Sequence, residues 1–144
     1  MKKFSVLVMV MSLVLLSCKE KVKGEKEITQ MKSNVVEVID FHSTHRCMTC
    51  NAIESSAKYT LDTYFKDEVS NNKITFKVVN VDEEKNYKIA EKFEATGTAL
   101  FLNVIVDGKE TQIDLTEFAF MNGNDQKVFS EELKVKLEEE LKKI

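Results

Sequence analysis

The chain has 144 residues, of which 43% are hydrophobic and 31% charged, and its formal net charge is −3. This size and balance are typical of a single globular domain. A nucleic-acid-binding protein should show a basic surplus clustered in one region, so we expect no nucleic-acid partner. The sequence has neither a GxGxxG nor a P-loop motif, and we therefore expect no organic cofactor.

The N-terminus has the pattern of an export signal. Two lysines, Lys2 and Lys3, precede an apolar run over residues 4–16. That run is shorter than the roughly 20 residues of a membrane-spanning helix, but it suits the apolar core of a secretory signal. It ends in LLSC, which resembles the bacterial lipobox. We therefore expect residues 1–17 to be a lipoprotein signal peptide and Cys18 to carry the lipid, the alternative being a plain signal peptide with a chance cysteine.

The segment after the signal differs in composition from the rest of the chain. Residues 18–33 begin with the lipidated cysteine and continue as a charged stretch with few apolar residues and no hydrophobic period. Such a composition predicts a flexible tether, followed by a folded domain over residues 34–144. The protein is thus expected in the bacterial cell envelope, lipid-anchored and outside the cytoplasm.

The folded part begins with a strand that leads into a helix. VVEVIDF, residues 35–41, is short, β-branched and almost wholly apolar, which predicts a strand buried on both faces. MTCNAIESSAKYTLDTYFKDEV, residues 48–69, repeats apolar side chains every four positions, as one long helix does. Cys50 lies three positions before Ile53 and therefore on the inward face, whereas Cys47 lies at the exposed start of the helix.

The remaining segments alternate in the same way. Asp107-Gly108 predicts a two-residue hairpin turn. The other predicted elements are a strand over residues 74–82, a short helix over 83–93, a strand over 98–106, its hairpin partner over 109–115, a part-helical segment over 116–126, and a final helix from about Ser130. The order β-α-β-α-β-β-α predicts an α/β domain: a mixed sheet flanked by helices, with parallel pairs and a closing antiparallel hairpin.

The segment FHSTHRCMTCNAIE, residues 41–54, holds the residues with the most distinctive chemistry. A thiol at a helix N-terminus faces unpaired N–H groups and the positive end of the helix dipole, which favour the thiolate. Arg46 and His45 could add positive charge, although each could equally be a solvated surface residue. We therefore expect a thiol–disulfide oxidoreductase in which Cys47 attacks and Cys50 resolves, acting on protein thiols or disulfides together with a redox partner protein.

Residues 35–144, with IDFHSTHRCMTC between the first strand and the first long helix, resemble the thioredoxin-like fold. The segments FHSTHRCMTCNAIE and DLTEFAF further resemble a bacterial group labelled as the ArsF-type nitrophenyl-compound nitroreductase subunit. The resemblance implies that Asp40 occupies the place of a buried acid that handles the proton of the inner cysteine; the alternative is an acid that faces water. It also implies that Thr98 or Ala99 fills the place of the family's cis-proline.

Two other functions fit the same segment. His42, His45, Cys47 and Cys50 are four ligands that zinc or copper(I) accepts, within nine residues. Zinc sites usually draw on two separated segments, however, and both histidines of the chain lie here. The remaining alternative is a non-catalytic thioredoxin-like binding module whose disulfide only stabilises a surface.

Overall fold

The structure, a computed structural model, describes residues 34–144. The predicted signal peptide, the lipidated Cys18 and the tether lie outside the described residues. The described part contains four strands and five α-helices, with a short 3-10 turn at Glu84–Asn86. They are β1 (Val35–His42), α1 (Met48–Tyr64), α2 (Lys66–Ser70), β2 (Ile74–Asn80), α3 (Tyr87–Lys92), β3 (Ala99–Val106), β4 (Lys109–Asp114), α4 (Thr116–Asn122) and α5 (Gln126–Leu141).

The four strands form one mixed sheet in the order β2-β1-β3-β4. β1 and β2 are parallel, whereas β3 runs antiparallel to β1 and β4 antiparallel to β3. The predicted mixed sheet, with a parallel pair and a closing antiparallel hairpin, is thus confirmed. β2 and β3 run in opposite directions. The helix between them has six residues, about 9 Å of rise, whereas β2 spans about 23 Å. The chain therefore returns from the same edge of the sheet and enters β3 in the opposite direction.

Hydrophobic cores lie on both faces of the sheet. Alternate residues of a strand point to opposite faces, so β1 sends Val36 and Val38 to one core and Ile39 and Phe41 to the other. The larger core packs the sheet against α1, α4 and α5, and the smaller core packs it against α3. This two-sided cover explains why β1 and β3 are almost continuously apolar, as predicted for β1.

Two helix boundaries differ from those that the sequence predicts. The helix expected over residues 48–69 is divided at Phe65, which leaves helical geometry at φ −132° and ψ 27° and buries its ring in the larger core. α5 begins at Gln126 rather than near Ser130, because the side chain of Asp125 accepts a hydrogen bond from Val128 N at 3.1 Å and caps the helix. The part-helical segment contains α4.

The fold brings the C-terminal end of β1, the N-terminus of α1 and the start of β3 together at one end of the sheet, where the central strands β1 and β3 end and begin. Phe41 pairs with Ala99, and Asn80 at the end of β2 pairs with His42. Within residues 34–144, no helix combines the length and apolar content that crossing a bilayer requires.

Candidate active site

Cys47 and Cys50 form a disulfide at the start of α1, with an S–S distance of 2.06 Å. Cys47 is the N-cap residue of the helix, and its sulfur accepts a hydrogen bond from Cys50 N at 3.0 Å. In return, Cys47 N donates to the sulfur of Cys50 at 3.3 Å. The two sulfurs thus take the places that hydroxyl and carboxylate groups occupy in a capping box, and each satisfies a backbone N–H of the first turn.

The two cysteines differ in their access to solvent. Cys47 is exposed, whereas Cys50 is 7% exposed and lies on the helix face that carries Ile53 into the larger core. The structure confirms this predicted difference. A partner thiol can reach the outer sulfur without displacing protein atoms, and the inner sulfur is reached through the outer one.

Asp40 is completely buried on β1, on the face that packs against α1. Burial raises the pKa of Asp40 to about 7, and the positive charge of Arg46 opposes this shift only in part. One carboxyl oxygen, Oδ1, has no hydrogen-bond partner among the described residues. Of the two alternatives for this residue, the water-facing acid is therefore wrong, and a role in handling the proton of Cys50 stays a prediction.

Arg46 points into the protein and is 18% exposed. One guanidinium nitrogen, Nη2, donates to Asp40 Oδ2 and to the carbonyl oxygen of Cys50, both at 3.2 Å. The other, Nη1, pairs with Glu54 on α1. The plain surface charge considered for Arg46 is thus wrong: the side chain connects β1 to the first two turns of α1.

Sequence reasoning missed Glu54, the second carboxylate of this cluster. Burial by itself raises the pKa of Glu54, but hydrogen bonds from Lys58 and Arg46 outweigh it and hold the pKa below its usual value. Glu54 and Lys58 are four residues apart on one helix face, so their pairing was readable from the sequence. The bond between Glu54 and Arg46 depends on how the chain turns before α1, and it could not be predicted from the sequence.

The loop between β1 and α1 is held by residues at the end of β2 and just after it. Asp82 Oδ2 accepts a hydrogen bond from Thr44 N at 2.7 Å, and Asn80 Nδ2 donates to Thr44 Oγ1 at 3.1 Å. The bond from the Thr44 backbone lowers the pKa of Asp82. Neither Asp82 nor Asn80 carries a local signal of this role, because they lie 36 or more positions from their partner.

The two histidines lie in the same loop but make no common site with the cysteines in the disulfide form. His42 is half-buried and its Nδ1 lies 2.9 Å from Ser43 O, and His45 is exposed. Over the described part of the chain, no three or more His, Cys, Asp or Glu side chains are arranged to hold a metal ion. The metal-binding alternative stays a prediction from residue spacing.

Thr98 lies at the start of β3, beside the loop that leads to Cys47. A Cβ placed on the preceding Gly97 would lie 3.6 Å from Ser43 Oγ, so the two segments touch. Thr98 is half-buried and lines an open groove of about 590 Å³ together with Phe93 and Thr116. The segment thus touches the loop that leads to Cys47, and the place that the resemblance gives to Thr98 stays a prediction.

A neighbouring segment that the sequence did not connect with the site is the link between α4 and α5. Thr49, which lies between the two cysteines, is 3.4 Å from Asn124 Oδ1 through its hydroxyl. A Cβ on Gly123 would lie 2.9 Å from Ile53 Cγ1 and 3.3 Å from Thr49 Cγ2. This link therefore packs directly against the first turn of α1, next to the exposed side chain of Met48.

A mixed four-stranded sheet flanked by helices, with the disulfide after β1, is the arrangement that the resemblance noted in the sequence predicts. No protein-family model matches the chain, and no curated protein matches it. One similar solved structure is a malarial protein, 20% identical over 62% of this chain and 96% of its own, with a TM-score of 0.39. Another is the thioredoxin of Fasciola hepatica, 22% identical over 61% of this chain and 76% of its own, also with a TM-score of 0.39.

Proposed function

We propose that this domain is a thiol–disulfide oxidoreductase in which Cys47 exchanges with partner cysteines and Cys50 resolves the mixed disulfide. The observation that carries the proposal is the pairing of an exposed sulfur at a helix N-cap with a buried sulfur one turn further on. Both sulfurs follow β1 in the chain and lie at the end of the sheet where β1 ends. The partners are cysteines of other proteins.

The exchange balances in atoms and electrons. Starting from the dithiol, the Cys47 thiolate attacks one sulfur of a partner disulfide, forms a mixed disulfide and releases the other partner sulfur as a thiolate. Cys50 then loses its proton and attacks the Cys47 sulfur, which closes the internal disulfide and releases the second partner thiolate. Two electrons pass to the partner, and the reverse sequence oxidises a partner dithiol.

The environment of Cys47 favours the thiolate that this reaction needs. Its sulfur accepts the N–H of Cys50 and lies at the positive end of a 17-residue helix. Both interactions are stronger for a negatively charged sulfur than for a neutral thiol. The first turn of α1 has no acidic residue, so no neighbouring negative charge on the helix start opposes them.

Asp40 is the group proposed to accept the proton that Cys50 releases. A carboxyl with a pKa of about 7 changes its protonation state near neutral pH, which is where a proton acceptor is most effective. The carboxyl and the carbonyl of Cys50 share one donor nitrogen of Arg46. They are thus no more than two hydrogen-bond lengths apart.

We further propose that the domain is anchored in the cell envelope through a lipid on Cys18. This proposal rests on the export signal, the LLSC motif and the charged segment that follows. Under it, the partners are extracytoplasmic proteins, where disulfides form and persist. The narrower resemblance to the ArsF-type group stays a prediction, because it rests on two short segments.

The roles of the two cysteines can be tested by trapping the mixed disulfide. Incubated with insulin as the disulfide probe, full-length Cys50→Ser should accumulate a reductant-sensitive adduct, because the resolving thiol is missing. Cys47→Ser should form at least about tenfold less, because its remaining thiol is buried. Equal adduct from both variants contradicts the assignment of roles. A wild-type protein that fails to accelerate insulin reduction by dithiothreitol is a non-catalytic binding module.

A further inference from the structure

Arg46 is the residue before the exposed cysteine, yet its side chain turns away from solvent. Its guanidinium contacts groups from two elements: Asp40 on β1, and the Cys50 carbonyl and Glu54 on α1. One side chain therefore connects the inner end of the disulfide turn to the sheet. A surface arginine does not need such a set of partners, and holding it in place costs side-chain entropy.

The charges around the buried acid are few and identifiable. Asp40 is influenced by Arg46, which precedes α1, and by Glu54 and Lys58 on α1. Its neighbours in the sheet, Val78 on β2 and Leu100 on β3, carry no charge. Arg46 is the charged group that contacts Asp40 directly, whereas the ammonium of Lys58 pairs with Glu54.

We propose that Arg46 is a positioning residue for disulfide exchange: it holds the Cys50 end of the turn against Asp40 and balances the buried carboxylate of Asp40 and the half-buried carboxylate of Glu54 when the cysteines are reduced. This inference rests on the proposed function. It differs from a direct effect of the Arg46 charge on the Cys47 thiolate, because it requires Asp40. It also assigns the residue before the cysteine pair a place in the buried cluster rather than in the partner-binding surface.

The physical reason lies in the charge difference between the two redox forms. The protein disulfide takes up two electrons from two glutathione molecules, which leave as one glutathione disulfide, and the thiols of the resulting dithiol can ionise, which the disulfide cannot. The reduced site is therefore richer in negative charge than the oxidised site. Removing a cation from a poorly solvated cluster with two carboxylates should penalise the reduced form, and the penalty should be smaller when one carboxylate is already gone.

The test is a double-mutant cycle on the redox equilibrium of the full chain. Wild type, Arg46→Met, Asp40→Asn and the double variant are equilibrated with glutathione buffers at pH 8.5, and the dithiol fraction is measured by alkylation. Arg46→Met should shift the equilibrium constant toward the disulfide by at least about fivefold, in the range of couplings between contacting residues. In the Asp40→Asn background the same change should have less than half of that effect on the logarithm of the constant.

Two further variants separate position from charge. Arg46→Lys keeps the charge but not the planar fork that serves three acceptors, so its equilibrium should lie between wild type and Arg46→Met. Lys58→Met removes the same unit charge from a side chain that pairs with Glu54, and it should change the constant by less than about twofold. An equal effect of Lys58→Met and Arg46→Met overturns the proposal.

Two other outcomes also overturn it. If Arg46→Met lowers the stability of the oxidised protein but leaves the redox equilibrium unchanged, Arg46 is a structural residue only. If its effect is as large in the Asp40→Asn background, the guanidinium acts directly on the thiolate. Any accessible disulfide has a measurable equilibrium with glutathione, so these results can be read even if the protein does not reduce insulin. Failure of the proposed function is thus distinguishable from failure of this inference.

Discussion

Asp40 has a local environment very different from that of a free side chain in water. It occupies a central strand, it is completely buried, and Arg46 satisfies one of its two carboxyl oxygens. The folded state therefore binds a proton at a pH at which the unfolded chain has lost it. A carboxyl whose pKa is raised on folding makes the protein less stable as pH rises, the opposite of the usual surface acid.

Replacing Asp40 with Asn should therefore change the pH dependence of stability. Between the usual pKa of 3.8 and the folded value of about 7, wild type should lose stability relative to Asp40→Asn as pH rises, and above about pH 7 the difference should level off. The total change should be about 4 kcal/mol. Urea unfolding at several pH values from 4 to 8.5 measures it.

Glu54→Gln is the matched control, because the pKa of Glu54 is lowered on folding rather than raised. This carboxylate stabilises the protein above its usual pKa of 4.5, and that contribution is lost as pH falls. The variant should thus be less stable than wild type at neutral pH and approach it in acid. A parallel profile for Asp40→Asn and wild type contradicts the assignment of the buried, proton-binding acid.

At the scale of elements, α4 and the link after it determine how the first turn of α1 is packed. Ala119 of α4 is completely buried in the larger core, and Gly123 ends the helix against Ile53 and Thr49. The backbone of Gly123 has φ −57°, which any residue can adopt. The glycine is therefore required by the close approach of α4 to α1 and not by its backbone conformation.

Gly123→Ala should destabilise the protein by about 1–3 kcal/mol, because its Cβ would lie 2.7 Å from Ala119 O and 2.9 Å from Ile53 Cγ1. Movement of the first turn of α1 should also slow insulin reduction. Gly97→Ala is the control, since its Cβ would meet Ser43 Oγ at an ordinary 3.6 Å, and its stability should change by no more than about 1 kcal/mol. Equal stabilities of the two variants in urea would show that α4 does not pack this tightly.

At the scale of the whole molecule, the chain enters the domain far from the disulfide. β1 begins at Val35 and ends at His42 next to the site, a span of about 26 Å. A lipid on Cys18 would therefore be connected to the edge of the sheet opposite Cys47. Under the proposed anchoring, the tether joins the domain at the end of β1 opposite the reactive sulfur, so its attachment does not cover the disulfide.

The proposed anchor predicts that Cys18 carries fatty acid in a bacterial host. Cys18→Ser should lose incorporation of an alkyne-palmitate label, because the acyl chains are attached only to the lipobox cysteine. Cys47→Ser, which makes the same chemical change at a cysteine within the folded domain, should keep the label. A wild-type protein that takes up no label would contradict the lipoprotein assignment and leave the plain signal peptide.

The strands, the main helices and the position of the cysteine pair could be predicted from the sequence alone. These features depend on neighbours within about ten residues: the β-branched run before Phe41, the four-residue period after Cys50, and the Asp107-Gly108 turn. The burial of Cys50 was predictable for the same reason, because Cys50 lies three positions before Ile53 and shares its inward helix face, whereas Cys47 precedes the helix.

Three features became visible only in the folded molecule: the direction of β3, the inward orientation of the Arg46 side chain and the burial of Asp40. These facts depend on contacts between elements, and no periodic pattern in the sequence encodes the distance between two side chains on different elements. The direction of β3 follows from its antiparallel pairing with β1, and the Gly123 contact from the approach of two helices. The pKa of Asp40 follows from the same cause, since burial is a property of the packed molecule and not of the residue.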